Sequence, residues 1–307
     1  MKTPKILIVG SINMDFLLYG APDHYPPRGG HIDCRSYAYA PGGKGAIQAC
    51  AAAKLGGQAA LVGRIGKDAN GQAMLEALSG QGVDIRFVRR MDELSTGLSV
   101  LCTEDNGCYH AFGVPGANTA LCEADVAAAL AAEDFDMLIF QLEMPIETAI
   151  CCHRLAKEKG IPAMLDAGPA KAIPLHEFSG IEFLSPNEAE VMALIGMCVE
   201  DEASAAKAAR LLREKTAAAH VLLKMGSKGI YYLGSEGEGY YPAHKVAAVD
   251  TAGAGDTFNA AFAIRRCQGA GIADAIAYGQ KAAAISVTKK GSLSSVPSAR
   301  EVEQTAL

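Results

Sequence analysis

Residues 135–166 have the sequence FDMLIFQLEMPIETAICCHRLAKEKGIPAMLD, and this stretch decides the fold class. The short apolar run Phe135–Phe140 predicts a buried strand. Pro145–Lys159 predicts a helix, because Pro145 suits the first helical position and the glycine that follows the segment suits its C-terminal end. Ile161–Asp166 predicts the next strand. A strand, a helix and a second strand in this order indicate a parallel strand pair with a helical crossover.

The rest of the chain continues this alternation of short apolar runs and longer helical patterns. Further strands are predicted at Lys5–Val9, Ile181–Leu184, His220–Lys224 and Ile230–Leu233. Further helices are predicted at Ile47–Leu55, Asn187–Ile195, Asp201–Lys215, Asp256–Gln268 and Ile272–Thr288. We therefore predict an α/β fold with a mostly parallel central sheet and helices on both faces. Ligands of such sheets bind beyond the carboxyl ends of the strands.

Two segments break this alternation. Residues 14–40 are marked by proline and glycine, and residues 96–112 alternate apolar and polar residues around the turn Asp105-Asn106-Gly107. We predict that the two segments form a small β-sheet that acts as a lid over the active site. An edge extension of the main sheet and a dimer contact are the alternatives. The predicted α/β core, which would bind nucleotide and substrate, comprises residues 1–13, 41–95 and 113–307.

Composition excludes several classes of protein. The 307 residues are 50% hydrophobic and carry a formal net charge of −6, which is typical of a folded domain and not of a disordered chain. Nucleic-acid binding needs clustered Lys and Arg, so no nucleic-acid partner is expected. No apolar run reaches the about 18 residues of a membrane span, so no membrane partner is expected. The nine cysteines form no C-x-x-C pair, which argues against zinc and disulfides and indicates a cytoplasmic location.

The stretch Val249–Phe258, with the sequence VDTAGAGDTF, places two glycines in front of a helical pattern. Backbone amides at the start of a helix bind anions, and the helix dipole adds to the attraction. Asp256 follows this turn and has two interpretations. It either caps the helix, or it orients a nucleophilic hydroxyl and accepts its proton as a phosphoryl group arrives.

Two earlier stretches also combine glycine with polar side chains. Pro41–Ala46, PGGKGA, opens a helical run, and Lys44 could meet an anion. The stretch is not a P-loop, because G-x-x-x-x-G-K-[ST] is absent, and a simple strand-to-helix turn also explains it. Gly10–Asp15, GSINMD, follows the first strand, where Asn13 and Asp15 are suited to hold hydroxyl groups. It lacks the G-x-G-x-x-G fingerprint, which argues against a dinucleotide-dependent oxidoreductase.

Taken together and in this order, the three motifs resemble the ribokinase family of pfkB-type, ATP-dependent carbohydrate and nucleoside kinases. The resemblance covers nearly the whole chain, and its most specific element is DTAGAGDTFN at Asp250–Asn259. It implies transfer of the γ-phosphoryl group of ATP to a primary hydroxyl of a small sugar, with Asp256 as the base. The amides that would neutralise the developing charge are those of Gly253, Ala254 and Gly255.

The resemblance also implies binding residues and the cofactors ATP, Mg²⁺ and K⁺. Substrate contacts would be Asn13, Asp15, Gly43, Lys44, Ile47, Glu143 and Asp256. Nucleotide contacts would be Asn187, Lys224, Gly226, Ser227, Gly229, Gly255 and Gln280. Asn187 and Glu190 would organise Mg²⁺ through water, unless Glu190 only belongs to a solvated helix face. The monovalent cation K⁺ would be held by Asp250, Ala252, Ser286, Lys289, Gly291 and Ser295.

One position departs from the family pattern. Ile47 stands where ribokinases usually have asparagine, and a buried hydroxyl left without a partner costs about 1–3 kcal/mol. D-Ribose or a related pentose is the first substrate that the resemblance implies. A deoxypentose, a ketohexose and a nucleoside are alternatives, and so is a non-catalytic sugar-binding regulator, which would not need Asp256. The family also implies a homodimer formed through the lid.

Overall fold

The computed structural model of the chain describes residues 3–21, 28–104 and 109–307. The predicted turn Asp105-Asn106-Gly107 and the prolines at positions 22, 26 and 27 lie outside these ranges. The strands formed in the described ranges are β1 (Lys5–Val9), β2 (Asn13–Ala21), β3 (Ser36–Gly42), β4 (Gln58–Gly66), β5 (Val88–Met91), β6 (Gly97–Glu104), β7 (Tyr109–Val114), β8 (Met137–Phe140), β9 (Ala163–Asp166), β10 (Phe183–Ser185), β11 (His220–Lys224), β12 (Gly229–Gly234) and β13 (Gly237–Pro242).

The helices follow the same order along the chain. They are α1 (Lys44–Lys54), α2 (Ala69–Gly80), α3 (Glu123–Ala132), α4 (Ile146–Lys159), α5 (Glu188–Ile195), α6 (Glu202–Thr216), α7 (Ala254–Cys267), α8 (Ile272–Ser286), α9 (Ser292–Ser295) and α10 (Ala299–Gln304). None of the helices in the described parts of the chain is both long enough and apolar enough to cross a membrane.

The main sheet has nine strands in the order β13-β12-β11-β10-β9-β8-β1-β4-β5. The seven strands from β11 to β5 are parallel, and β12 and β13 add an antiparallel hairpin at one edge. This topology confirms the predicted α/β class. It also brings the carboxyl ends of β1, β9 and β11 to the same side of the sheet, where parallel sheets bind their ligands.

Helices cover both faces of the main sheet, as predicted. Successive side chains of a strand point to opposite faces, and β1 shows the consequence. Ile6 and Ile8 pack into a core with α1, α7 and α8, while Leu7 and Val9 pack into a second core with α3, α4 and α6. All four side chains are fully buried, which explains why this strand is an uninterrupted apolar run.

The two segments that break the alternation form a separate four-stranded sheet, β3-β2-β6-β7. The β2–β3 and β6–β7 pairs are antiparallel, and β2 pairs with β6 in parallel. The strand register places Phe16, Tyr39 and Phe112 on one face, and Asp15 and Ser99 on the other. The small sheet therefore has one face with three aromatic side chains, and a second face on which Asp15 and Ser99 lie beside apolar residues such as Leu17 and Leu101.

Helix starts differ slightly from the predicted ones. Helix α4 begins at Ile146, so the prediction that Pro145 is the first helical residue was wrong by one position, because its ψ of 137° is extended. Helix α7 begins at Ala254, with Gly253 in the N-cap position. Asp256 is therefore the third helical residue, and the interpretation of Asp256 as the N-cap was wrong.

Candidate active site

The candidate site lies where strand ends and helix starts converge. Asp166 is the last residue of β9 and Lys224 is the last residue of β11. Lys44 opens α1, and Asp256 lies in the first turn of α7. Helices α1 and α7 pack side by side in the same core, so their first turns meet at the carboxyl edge of the sheet.

Four side chains form a closed ring of hydrogen bonds at this point. Lys44 Nζ donates to Asp166 Oδ2 at 2.9 Å and to Asp256 Oδ1 at 3.1 Å. Gln48 Nε2 donates to the same two oxygens, at 2.9 and 2.8 Å. Lys44 and Gln48 are four residues apart on α1 and therefore share one face of the helix. The ring joins the two carboxylates through a shared ammonium group and a shared amide.

Lys224 adds a second ammonium group to the ring. Its ammonium group donates to Asp166 Oδ1 at 3.0 Å and to the carbonyl oxygen of Ser185 at 2.8 Å. Asp166 thus binds two ammonium groups, one on each of its oxygens, while Asp256 binds one. Both carboxylates are buried.

The two carboxylates differ in their pKa because their partners differ. Burial raises the pKa of Asp256, Lys44 opposes the rise, and the charge of Asp166 adds to it. Burial also acts to raise the pKa of Asp166, but Lys224 and Lys44 together hold it well below its usual range. Burial acts to lower the pKa of Lys44, and Asp166, Asp256 and Glu143 outweigh it and raise that pKa well above its usual value.

A cavity of about 460 Å³ lies between the small sheet and the main sheet, and its mostly apolar lining includes the polar side chains of Asn13, Ser99 and Glu143. Glu143 accepts hydrogen bonds from the hydroxyl of Ser11 and from the backbone amide of Lys44. Lys44 therefore connects the two ends of the site, since its amide binds Glu143 and its ammonium group binds Asp256.

Two predicted substrate residues, Asp15 and Gly43, lie close to this cavity. Burial, together with the nearby charge of Glu143, raises the pKa of Asp15 to about 6, and a hydrogen bond from Ser99 opposes the rise. Gly43 is the N-cap of α1, and a Cβ at this position would lie 2.7 Å from the backbone nitrogen of Asn13. The glycine therefore allows the start of α1 to approach the connection between β1 and β2 closely.

A larger cleft of about 1030 Å³ borders the ring. Its lining includes every residue that we predicted for the nucleotide: Asn187, Lys224, Gly226, Ser227, Gly229, Gly255 and Gln280. Its apolar wall consists of Ile230, Val246, Ala248, Ala283, Ala284 and Val287. Lys44 and Asp256 also line the cleft, and the backbone amide of Lys44 donates to Glu143 in the lining of the smaller cavity.

Asn187 and Glu190 form a capping box at the start of α5. Glu190 donates its backbone amide to Asn187 Oδ1 at 2.9 Å, and Asn187 donates its own to Glu190 Oε2 at 2.7 Å. Glu190 is only 4% exposed and lines the cleft. The alternative of a solvated helix face was therefore wrong. Burial raises the pKa of this carboxyl, and Asp166 adds to the rise against Lys224 and Lys44.

The predicted cation-binding segments are joined to each other. Asp250 accepts hydrogen bonds from the amides of Ala252 and Gly291, both at 2.9 Å. The amide of Lys289 donates to the carbonyl oxygen of Ser286, and its ammonium group lies 2.6 Å from Glu301. The hydroxyl of Ser295 is bound to the carbonyl oxygen of Ser292.

Ile47 lies beneath the glycine turn in front of α7. Its side chain is 5% exposed, and its Cγ2 lies 3.2 Å from where a Cβ on Gly253 would be. The structure places it in the core between α1 and α7. Its contact with a substrate stays a prediction.

Our sequence reasoning missed two members of the ring, Asp166 and Gln48. Two local signals were present: Asp166 ends a predicted strand, where ligands of parallel sheets bind, and Gln48 lies one helical turn after Lys44. Neither signal alone distinguishes these residues from other polar side chains at element ends.

The fold and the site together define a phosphotransferase. A cleft large enough for a nucleotide ends at a buried carboxylate next to a helix start, and a smaller cavity that contains the carboxylate of Glu143 lies nearby. The chain belongs to the pfkB family of carbohydrate kinases, whose sequence profile matches residues 3–299. It is an ATP-dependent carbohydrate kinase.

Known relatives agree with this assignment. The chain is 34% identical to the ribokinase of Haemophilus influenzae, over 96% of each chain. It is 31% identical to the deoxyribokinase of Salmonella typhi, over 97% of each chain. Its fold matches that of Arabidopsis thaliana ribokinase complexed with ribose and ATP, with a TM-score of 0.89, 31% identity, and coverage of 99% of this chain and 98% of that one. The predicted family and fold class are confirmed.

Proposed function

We propose that the chain phosphorylates a primary hydroxyl of D-ribose or a related pentose, with Asp256 as the base. One observation carries this proposal: Lys44 binds Asp256 with its ammonium group and Glu143 with its backbone amide. A ligand that reaches from the nucleotide cleft to Glu143 must therefore span about one lysine side chain, which suits a single sugar ring. The Arabidopsis relative of known structure was solved with ribose and ATP.

The proposed reaction needs positioning and charge stabilisation more than covalent chemistry. The sugar oxygen attacks the γ-phosphorus, the bond from that phosphorus to the β–γ bridging oxygen breaks, ADP leaves, and the hydroxyl proton passes to Asp256. The amides of Gly253, Ala254 and Gly255 stabilise the charge on the transferred group. Asn13, Asp15 and Glu143 would hold the other hydroxyls, and Gly43 would let the sugar approach the start of α1.

The residues present fit Mg²⁺ and K⁺. Asn187 and Glu190 line the nucleotide cleft and would hold Mg²⁺ through water, since Mg²⁺ keeps much of its hydration shell. Asp250 and the carbonyl oxygens of Ala252, Ser286, Lys289 and Gly291, with Ser295, would hold K⁺. Lys289 is positively charged, and its ammonium group forms an ion pair with Glu301 that balances this charge. When bound, the two ions supply positive charge near the phosphates and support the turn in front of α7.

The small sheet is the proposed lid, formed by residues 14–40 and 96–112, and the rest of the chain is the core. One of its faces carries Ser99, which lines the proposed sugar cavity, and Asp15, which is close to Ser99 and Glu143. Its other face exposes aromatic side chains: Tyr37 is 67% exposed and Tyr39 is 60% exposed. We infer that a second copy of the chain covers this apolar face, giving a homodimer. A cytoplasmic location suits a chain whose described cysteines are free thiols.

A coupled assay of ADP release across pentoses, deoxypentoses, ketohexoses and nucleosides tests the substrate, with and without Mg²⁺ and K⁺. We expect the highest kcat/KM with D-ribose and a strong loss without Mg²⁺. Asp256→Asn should lower kcat by about 10²- to 10⁴-fold, the usual contribution of a general base, with nearly unchanged ATP binding. Unimpaired turnover in that variant would sink the assignment of the base.

A deoxypentose is the second candidate, for one specific reason. Ile47 cannot hydrogen-bond a sugar hydroxyl, and one relative is a deoxyribokinase. A higher kcat/KM with 2-deoxy-D-ribose than with D-ribose in the same assay would favour this candidate. The Ile47→Asn variant should then shift the preference toward D-ribose.

A further inference from the structure

Asp166 is a buried carboxylate that the proposed reaction leaves without a role. Its side chain is fully buried at the end of β9, and its three side-chain donors are Lys44, Gln48 and Lys224. A buried charge is costly unless it is paired and hydrogen-bonded. Here the partners include two lysines that both line the nucleotide cleft, so the cost is offset inside the candidate site.

The ring geometry links Asp166 directly to the proposed base. Lys44 Nζ and Gln48 Nε2 bridge the same two oxygens, Asp166 Oδ2 and Asp256 Oδ1, with distances between 2.8 and 3.1 Å. These oxygens therefore lie no more than about 6 Å apart. Gln141 donates to Gln48 Oε1 at 2.5 Å, which fixes the orientation of the bridging amide.

We propose that Asp166 is a positioning residue for phosphoryl transfer: it holds Lys44 between the two carboxylates and Lys224 at the nucleotide cleft. The proposal rests on the proposed role of Asp256 as the base. The ammonium groups of Lys44 and Lys224 both bind Asp166, and its negative charge offsets the repulsion between them. Its negative charge also lies close to Asp256 and opposes the ionisation of that carboxyl.

The charge of Asp166 should affect how the activity depends on pH. The charged groups around the base are Lys44 from α1, Asp166 from β9, Lys224 from β11 and Glu190 from α5. The negative charge of Asp166 contributes to the raised pKa of Asp256. Two unit charges about 6 Å apart, at an effective dielectric constant of about 20, move a pKa by about two units. Removing the charge of Asp166 should therefore move the acid limb of the activity profile to lower pH.

The test compares Asp166→Asn with Asp125→Asn. Asp125 is an equally buried carboxylate that lies 2.8 Å from Arg64 and 3.0 Å from Arg89, and it lines neither cavity. With D-ribose and MgATP, we expect Asp166→Asn to lower kcat by about tenfold or more, as misplaced catalytic groups do. The acid limb of its pH–activity profile should move to lower pH by about one to two units, with little change in the KM for ribose. Asp125→Asn should lose thermal stability and keep the wild-type acid limb.

A wild-type acid limb in Asp166→Asn, with only the loss of stability seen in Asp125→Asn, would overturn the proposal. If Asp166→Asn does not fold, Asp166→Glu carries the test. It keeps the charge but moves it, so kcat should fall while the acid limb stays in place, and a wild-type kcat would contradict the positioning role. Failure of the base itself is distinguishable, because it appears as retained turnover in Asp256→Asn.

Discussion

Replacing Gly253 with alanine tests whether the turn in front of α7 is an anion hole. Gly253 has a φ of +77°, in the left-handed region, where a Cβ costs about 1–2 kcal/mol. The added Cβ would also lie 3.2 Å from Ile47 Cγ2 and 3.4 Å from the carbonyl oxygen of Ser292. Because Ile47 is buried in the core, the turn must give way, and the amides that follow it move by a fraction of an ångström.

The expected losses differ in size for stability and catalysis. We expect Gly253→Ala to lower the free energy of unfolding by about 1–2 kcal/mol, the cost of the backbone conformation. A misplacement of about 1 Å costs about 10²-fold in rate, so a smaller shift should lower kcat roughly tenfold. The KM values for sugar and ATP should change less, because the amides act on charge that develops only in the transition state.

Gly160→Ala is the matched control for this experiment. Gly160 ends α4 with a φ of +66°, and a Cβ there would meet nothing within 4 Å. Urea unfolding should therefore show a similar stability loss in both variants, while steady-state kinetics should show a lowered kcat only in Gly253→Ala. Equal stability losses with an unchanged kcat in both variants would refute the anion-hole assignment.

Two further predictions concern the small sheet. Because the pKa of Asp15 is raised to about 6, the KM for the sugar should rise about tenfold per pH unit below this value. The reason is that protonation removes the carboxylate that accepts hydrogen bonds from the sugar hydroxyls. Asp15→Asn should remove this dependence, and a KM that is flat with pH in the wild type would contradict it. Tyr39→Ser should weaken the dimer, as measured by sedimentation velocity. The control Met192→Ser, which changes an exposed apolar residue elsewhere, should not weaken it. A monomeric wild type at micromolar concentration would rule out the dimer.

Local sequence patterns predicted the α/β class and many of its elements, although β4, β5, α2 and α3 were not among the predicted strands and helices. The DTAGAGDTFN stretch predicted a helix start next to a carboxylate, and that start is present at Gly253. The exact first residue was not predictable from the pattern, because a glycine with positive φ can take the N-cap position without a side-chain cap. As a result the helix begins two residues before Asp256, and the carboxylate is released from a capping role.

The ring around Asp166 could not be predicted from local patterns. Gln48 lies 118 positions from Asp166 and 208 from Asp256 in the sequence. These contacts depend on how α1, α7 and the end of β9 pack together, and no spacing within one element encodes such packing. A residue at a strand end is a candidate for function, but its partners are decided by the tertiary structure.

The two buried carboxylates of the ring have different charged partners and different proposed roles. Asp166 binds both Lys44 and Lys224, and its pKa lies well below the usual range, so it remains charged throughout catalysis. Asp256 shares only Lys44, and its pKa is raised, so its affinity for a proton is the higher of the two. Neighbouring acids whose environments separate their pKa values take different roles in a reaction. Because a hydroxyl proton goes to the more basic acceptor, these environments support our proposals that Asp256 is the base and that Asp166 positions the two lysines.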